Sequence, residues 1–183
     1  MKKISLILLC FLVLSSCSGE TKKETQSIEK VTPSKTIFNY DSLTDIGFKK
    51  TKTYKIKDLP KSNSAYFGFL KETKIEYEIR FYDNHQDALE YGQNLAEERT
   101  GENAILKKED ATWKEGVKEA RSCAGDSGSG KTSYLAAHGA ASCMSPKYGD
   151  YIIYGNMILL CQGANSEESM LNCTNIINTL ANK

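Results

Sequence analysis

The end of the chain constrains the fold more than any other segment. Two apolar runs, Asp150–Tyr154 and Met157–Cys161, are separated by Gly155-Asn156, a pair that favours a two-residue β-hairpin turn. Neither run alternates with polar residues, so we expect both strands to be buried on both faces. A helix is predicted to follow from an N-cap at Asn165, with one apolar face formed by Met170, Cys173, Ile176, Ile177 and Leu180. The segment therefore predicts a strand–strand–helix unit.

An earlier segment repeats this order of elements. Ala65–Leu70 is rich in aromatic residues and is predicted to be a strand. In the next strand, four apolar residues alternate with Glu76, Glu78 and Arg80, which predicts one buried face and one face in water; the apolar residues are Ile75, Tyr77, Ile79 and Phe81. A helix is predicted after this strand, because Asp83 and Gln86 have the spacing of a capping box.

These elements predict an α+β fold over residues 37–183. We expect an antiparallel sheet built from two ββα-like units, with the helices packed on one face. An edge strand is predicted over Thr53–Leu59, and a short helix from about Asp110, with Trp113, Val117 and Ala120 turned inward. Trp113 is expected to be a partly buried core residue, and the sheet is expected to include Tyr148, Tyr151 and Tyr154.

The first seventeen residues have the organisation of an export signal. Lys2 and Lys3 precede an apolar stretch from Ile4 to Leu14, which is too short to cross a bilayer as a helix. The following Ser15-Ser16-Cys17 completes a segment that resembles the lipobox of bacterial lipoproteins. The resemblance implies that residues 1–16 are removed and that the Cys17 thiol receives a diacylglycerol. The alternative is an ordinary cleaved signal with an incidental cysteine.

Residues 17–36 are predicted to be the lipidated cysteine and a flexible tether. The segment is polar, with few apolar residues, and cannot bury enough surface to fold. Such a coil would reach roughly 25 Å. The predicted location is therefore on a membrane outside the cytoplasm. Ser18-Gly19 lacks the aspartate that resembles an inner-membrane retention signal in many bacteria with two membranes, which favours the outer membrane in such a cell. In a cell with one membrane, the expected site is the outer face of that membrane.

Cysteine use fits this compartment. Once Cys10 is removed and Cys17 is lipidated, the remaining cysteines are Cys123, Cys143, Cys161 and Cys173. An even number of cysteines outside the cytoplasm predicts disulfides. Four cysteines allow three pairings, and sequence proximity favours Cys123–Cys143 and Cys161–Cys173. We predict no metal, because the cysteines form no CxxC and neither His85 nor His138 has ligand spacing from a cysteine.

The glycine- and serine-rich stretch between Cys123 and Cys143 contains two strings that resemble active-site motifs. Residues 125–132 fit the phosphate-binding P-loop pattern, with Lys131 in the lysine position. That motif needs a buried strand before it, whereas the residues before it are charged and polar. We therefore predict no nucleotide chemistry at Lys131.

The second string resembles the GDSG nucleophile segment of chymotrypsin-like proteases, with Ser127 as the nucleophile. Ala136-Ala137-His138 is similar to the segment that carries their general base. In that family the histidine lies far upstream of the serine, whereas here it follows Ser127 by eleven residues. The stretch is accordingly predicted to be a disulfide-closed loop without catalytic residues, and the alternative is a hydrolase that uses Ser127 and His138.

The sequence favours a non-catalytic binding or structural module of the cell envelope. The chain has 24 basic and 23 acidic residues, and this balance gives no basis for nucleic-acid binding. The predicted partners are the membrane, through lipid on Cys17, and an envelope protein or a small-molecule ligand. No cofactor is predicted.

Overall fold

The computed structural model describes residues 28–123 and 143–183. The predicted signal peptide, Cys17, most of the tether and the loop with Ser127, Lys131 and His138 lie outside these residues. The described part of the chain is a mixed α+β structure with a mostly antiparallel sheet and two disulfides. None of the helices in these two ranges is long and apolar enough to cross a membrane.

One six-stranded sheet forms the centre of the structure. Its strands are β1 (Val31–Thr32), β2 (Phe48–Thr53), β3 (Ser62–Leu70), β4 (Glu76–Tyr82), β7 (Tyr148–Tyr154) and β8 (Met157–Gln162), in the order β1-β7-β8-β4-β3-β2. Strand β1 runs parallel to β7, and the other neighbouring pairs are antiparallel. A separate pair, β5 (Arg121–Ser122) and β6 (Ser145–Pro146), adjoins the Cys123–Cys143 disulfide.

The helices flank this sheet. Helix α1 spans Tyr40–Asp45 and helix α3 spans Ser166–Ala181. Helix α2 has three consecutive parts, which are an α-helical turn at His85–Asp87, a π-helical turn at Ala88–Gly92 and an α-helical turn at Gln93–Glu97. The side chain of Asn84 accepts a hydrogen bond from Asp87 N and caps α2, so the helix begins one residue later than the predicted N-cap at Asp83.

The predicted C-terminal hairpin is confirmed. Tyr154 pairs with Met157 across the turn, where Gly155 has a φ of +54°. The buried Asn156 side chain accepts from Phe38 N at 2.8 Å and donates to Phe38 O at 2.9 Å and Tyr82 O at 3.0 Å. These three bonds hold the turn against both the segment before α1 and the end of β4.

The predicted last helix is also confirmed. Asn165 caps α3 by accepting from Glu168 N at 2.9 Å, while the Glu168 carboxylate accepts from Ala164 N at 2.7 Å. The Cys161–Cys173 disulfide connects β8 to α3. Because Cys161 and Cys173 are both fully buried, this cross-link lies inside the core that joins the sheet to the helix.

The prediction that the helices share one face of the sheet is wrong. Leu159 belongs to the core between the sheet and helices α1 and α3. Its neighbours Ile158 and Leu160 belong to a second core, which includes Ala88 and Ala96 of α2. Successive residues of a strand point to opposite faces, so α2 and α3 lie on opposite sides. The physical reason is that strands apolar on both faces need cover on both.

The earlier part of the chain departs from the predicted ββα unit. Three strands, β2 to β4, lie between α1 and α2, and β2 ends at Thr53, where the predicted edge strand begins. The predicted helix from Asp110 is absent, and residues 115–120 form turns instead. Gly116 has a φ of +74°, which is outside helical geometry. Trp113, Val117 and Ala120 are nevertheless buried as predicted.

Candidate functional site

A cluster of charged side chains lies buried beneath the segment that follows α2. Glu78 and Arg80 of β4 and Arg99 have at most 2% of their side chains exposed. The Glu78 Oε1 atom accepts from Arg80 Nε at 2.8 Å and lies 2.6 Å from Arg80 Nη2. The Glu78 Oε2 atom lies 3.9 Å from Arg99 Nη1. Two guanidinium groups share one carboxylate, and the triad has a net charge of +1.

This cluster corrects the prediction that Glu78 and Arg80 lie on a face in water. The alternation along β4 is present, since Tyr77, Ile79 and Phe81 belong to the core beneath α3. The opposite face is covered by the irregular segment after α2, which the sequence pattern does not reveal. The charged residues therefore pair with one another in the interior instead of meeting solvent.

Trp113 lies against both guanidinium groups. Its ring centroid is 4.9 Å from Arg80 Cζ and 5.7 Å from Arg99 Cζ, within the range of cation–π attraction. The edge-to-face contact with Tyr54 has a centroid distance of 5.5 Å, and Nε1 donates to Lys55 O at 3.2 Å. Trp113 is 1% exposed, so it lies in the core as predicted and is more completely buried than expected.

Arg99 connects the buried cluster to the segment above it. Its Nη1 donates to Glu115 O at 3.0 Å and its Nη2 donates to Trp113 O at 2.7 Å. Burial lowers the pKa of Arg99, and the neighbouring Glu78 carboxylate opposes that shift. The guanidinium therefore fixes the backbone of residues 113–115 by two charge-assisted hydrogen bonds.

Gly116 completes this contact. A Cβ at this position would lie 2.7 Å from Glu78 Oε2, 3.0 Å from Arg99 Nη1 and 3.1 Å from Tyr54 Cζ. Its positive φ also disfavours residues with a side chain. Only glycine lets the backbone approach the buried ion cluster this closely without displacement.

Two buried phenols complete the polar environment. The hydroxyls of Tyr54 and Tyr148 have no hydrogen-bond partner among the described residues. Burial is the largest cause of the raised pKa of each tyrosine, and the Glu78 carboxylate raises it further. Both phenols therefore stay neutral near pH 7, and they do not offset the positive charge of the triad.

The outer side of the same segment forms a cavity of about 350 Å³, a size typical of small-molecule sites. Five cationic and two acidic side chains line it, for a net charge of +3. Its lining is Lys52, Lys108, Lys114, Glu115, Gly116, Val117, Lys118, Glu119 and Arg121. Gly116 thus belongs both to the cavity wall and to the cover of the ion cluster, so the buried triad supports the cavity from beneath.

The cations of the cavity differ in their partners. Lys52 pairs with Glu119 at 2.8 Å, and Arg121 Nε donates to the neutral Leu106 O at 2.7 Å. Within residues 28–123 and 143–183, no carboxylate forms an ion pair with the other three lysines, Lys108, Lys114 and Lys118. These three side chains are exposed and are available to an anion in the cavity.

The residues singled out from the sequence lie elsewhere. Cys17, Ser127, Lys131 and His138 are outside the described residues, so their predicted roles stay predictions. Cys123 pairs with Cys143 and Cys161 pairs with Cys173, as sequence proximity favours. No group of His, Cys, Asp and Glu side chains suited to a metal ion occurs among the residues that the structure describes.

The cavity is not evident from the sequence pattern. The signal for it is the stretch from Lys114 to Arg121, where charged residues surround Gly116 and Val117 without helical periodicity. Lys52 comes from β2, which is distant in the chain. Arg99 lies beneath the cavity wall and supports it through hydrogen bonds to the backbone of Trp113 and Glu115. The geometry that joins these segments depends on the fold and has no local sequence signature.

The fold and the cavity define a class of protein, which is an α+β protein with two disulfides and a basic cavity above a buried ion cluster. The chain belongs to a family described as a family of unknown function, DUF6810, which matches residues 39–182. The match includes every residue of the cavity and of the ion cluster. No curated protein and no solved structure matches the chain.

Proposed function

We propose that this chain is a lipid-anchored binding module of the cell envelope and that the cavity holds an anionic ligand. The observation that carries this proposal is the unbalanced charge of the cavity. Among the described residues, no carboxylate forms an ion pair with Lys108, Lys114 or Lys118. A bound anion would supply the missing negative charge.

The buried triad adds to the attraction. Arg80 and Arg99 outnumber the single Glu78 carboxylate and lie directly behind Gly116 in the cavity wall. At a given distance, Coulombic interactions are stronger inside a protein than in water, because the effective dielectric constant is lower. The positive charge below the cavity therefore acts in the same direction as the lysines around it.

The cavity also has the rigidity that a binding site needs. Arg99 fixes the backbone at Trp113 and Glu115, and the β5–β6 pair holds the chain at Arg121 and Ser122. A binding wall that is ordered before the ligand arrives loses less entropy on binding. This favours a binding module over a surface patch of unrelated lysines.

The envelope location rests on separate support. Two disulfides are typical of proteins outside the reducing cytoplasm, and both are present. The lipobox-like Leu14-Ser15-Ser16-Cys17 supplies the proposed anchor. A lipid on Cys17 would hold the cavity close to a membrane surface, where an envelope ligand would reach it.

The anchor predicts a specific labelling result. Cells that express the full chain and are fed a clickable fatty acid should label the protein, and Cys17→Ala should abolish the label because it removes the acylated thiol. Cys10→Ala, which changes a cysteine of the predicted signal, should leave the label unchanged and is the control. A labelled Cys17→Ala protein would exclude this anchor.

Binding in the cavity predicts a localised response to small anions. Lys114→Gln/Lys118→Gln should weaken the binding of sulfate at least about tenfold, because each lost charge at contact distance is worth about 1 kcal/mol or more. The control is Lys57→Gln/Lys71→Gln, which removes two exposed lysines that do not line the cavity.

Amide chemical shifts of the full chain, followed by NMR during the titration, measure both affinity and place. The proposal expects the perturbed amides to centre on Gly116, Val117 and Lys118. It fails if sulfate, phosphate, citrate and acetate all leave these amides unchanged, or if the control pair weakens binding as much as the cavity pair.

A further inference from the structure

We infer that the cavity recognises a multivalent oxyanion of the phosphate class, with at least two negative charges on the bound group. The inference rests on the proposed function and names the ligand chemistry of the same site. It follows from the number of uncompensated cations, their distribution around the cavity and the hydrogen bonding of the Arg121 guanidinium.

The charge balance sets the valence. Glu119 neutralises Lys52, which leaves Lys108, Lys114, Lys118 and Arg121 with Glu115 as the remaining acid of the lining. Among the residues that the structure describes, the uncompensated charge of the lining is +3. A carboxylate with one charge would leave +2 in a cavity of about 350 Å³, whereas a phosphomonoester or diphosphate balances most of it.

The distribution of the cations favours an anion with several oxygen atoms. Lys108 comes from the segment before Trp113, and Lys114, Lys118 and Arg121 come from the segment after Asp110 that encloses Gly116. Lysine ammonium groups act as compact point charges, so ammonium groups on different sides of the cavity can each contact a different oxygen of the anion. A tetrahedral phosphate group presents oxygens in several directions, while a carboxylate offers two in one plane.

Arg121 supplies the directional contact. Its Nε donates to Leu106 O at 2.7 Å, and its backbone lies in β5, where Arg121 is paired with Pro146 of β6. This leaves both terminal nitrogens of the guanidinium without a hydrogen bond to the described residues. A guanidinium fixed in this way matches the paired oxygens of a phosphate by two parallel hydrogen bonds.

The phosphate can belong to a lipid headgroup or to a soluble phosphorylated molecule, since the shared chemistry is the oxyanion. The test uses the full chain with Cys17→Ala, so that the anchor does not bind vesicles, and keeps the ionic strength constant. Pyrophosphate, sulfate and methyl sulfate are titrated by NMR. Sulfate and methyl sulfate form a matched pair that differs by one negative charge.

We expect sulfate to bind at least about fivefold tighter than methyl sulfate, and pyrophosphate tighter still, because each added charge meets an uncompensated cation. Arg121→Lys keeps the positive charge but removes the two parallel hydrogen bonds of the guanidinium, and should weaken the binding of pyrophosphate at least about fivefold. Lys57→Gln should change nothing. The order pyrophosphate, sulfate, methyl sulfate, centred on the cavity amides, supports the inference.

Other outcomes separate the inference from the proposed function. Equal affinity of sulfate and methyl sulfate in the cavity would overturn the multivalent oxyanion and leave anion binding intact. Cavity amides that respond to none of the anions would overturn both. Phosphatidylcholine vesicles containing phosphatidic acid form the second arm: binding that Lys114→Gln/Lys118→Gln abolishes supports a lipid phosphate, while binding of pyrophosphate alone supports a soluble one.

Discussion

Replacing Glu78 with glutamine is expected to lower the free energy of unfolding by about 3 to 5 kcal/mol, the range found when one partner of a buried ion pair is removed. Glutamine has nearly the same shape as glutamate, so packing around it is unchanged. The loss comes from the two guanidiniums of Arg80 and Arg99, which would remain buried without an anion.

Glu76 offers a matched control two residues earlier on the same strand. Its carboxylate pairs with Lys147 at 2.5 Å, but its side chain is 33% exposed. Solvent therefore screens this part-buried pair more than the fully buried triad, and we expect a smaller loss of about 1 kcal/mol. Urea unfolding followed by circular dichroism compares Glu78→Gln with Glu76→Gln. Equal losses in the two variants would contradict the special role of the buried triad.

The triad also couples stability to the cavity. Arg99 holds the backbone of Trp113 and Glu115 while its own position depends on the charge of Glu78. In Glu78→Gln, the segment above the triad therefore loses part of its support. The sulfate affinity of the folded variant should fall although no side chain of the cavity has changed.

Local signals predicted the C-terminal half of the sheet. Gly155 and Asn156 determine the hairpin through backbone freedom and a short turn, and Asn165 determines where α3 begins. Each effect acts within a few residues of the chain. Such interactions can be identified from sequence because the partner of each group is close to it in sequence as well as in space.

The cover over Glu78 and Arg80 could not be identified in this way. A strand with alternating charges looks the same whether its polar face meets water or a buried counter-charge. Arg99 lies far along the chain from Glu78, and the segment that joins them to Gly116 has neither helical nor strand periodicity. The polar face of β4 was wrongly predicted to meet water, and the cavity was not predicted, for the same reason: the segment that covers them has no periodic sequence pattern.

The motif-like strings between Cys123 and Cys143 illustrate the opposite difficulty. Ser127, Lys131 and His138 lie in strings of familiar residue types, whereas the lysines of the cavity resemble ordinary solvated charges. Judged by residue type alone, Ser127, Lys131 and His138 resemble functional residues more than the lysines of the cavity do. Five cations around one cavity become visible only after β2 and residues 108–121 are brought together.

Trp113→Ala is expected to cost about 3 to 5 kcal/mol, as for other large-to-small changes of a buried aromatic residue. The ring is 1% exposed and contacts Tyr54, Arg80 and Arg99. Its removal leaves a void beside the ion cluster and deprives both guanidiniums of a ring face. Circular dichroism is the appropriate measurement, because Trp113 is the one tryptophan of the chain and its fluorescence disappears with it.

Trp113→Phe separates packing from hydrogen bonding. Phenylalanine keeps an aromatic ring against Tyr54 but cannot donate to Lys55 O, so we expect a smaller loss, of about 1 to 2 kcal/mol. A loss below about 1 kcal/mol in Trp113→Ala would show that the ring does not support this layer. The hydrogen bond from Arg99 Nη2 ends on the backbone oxygen of Trp113 and survives both substitutions. Sulfate affinity in the folded Trp113→Ala protein therefore tests whether this backbone contact is enough to hold the cavity wall without the ring beneath it.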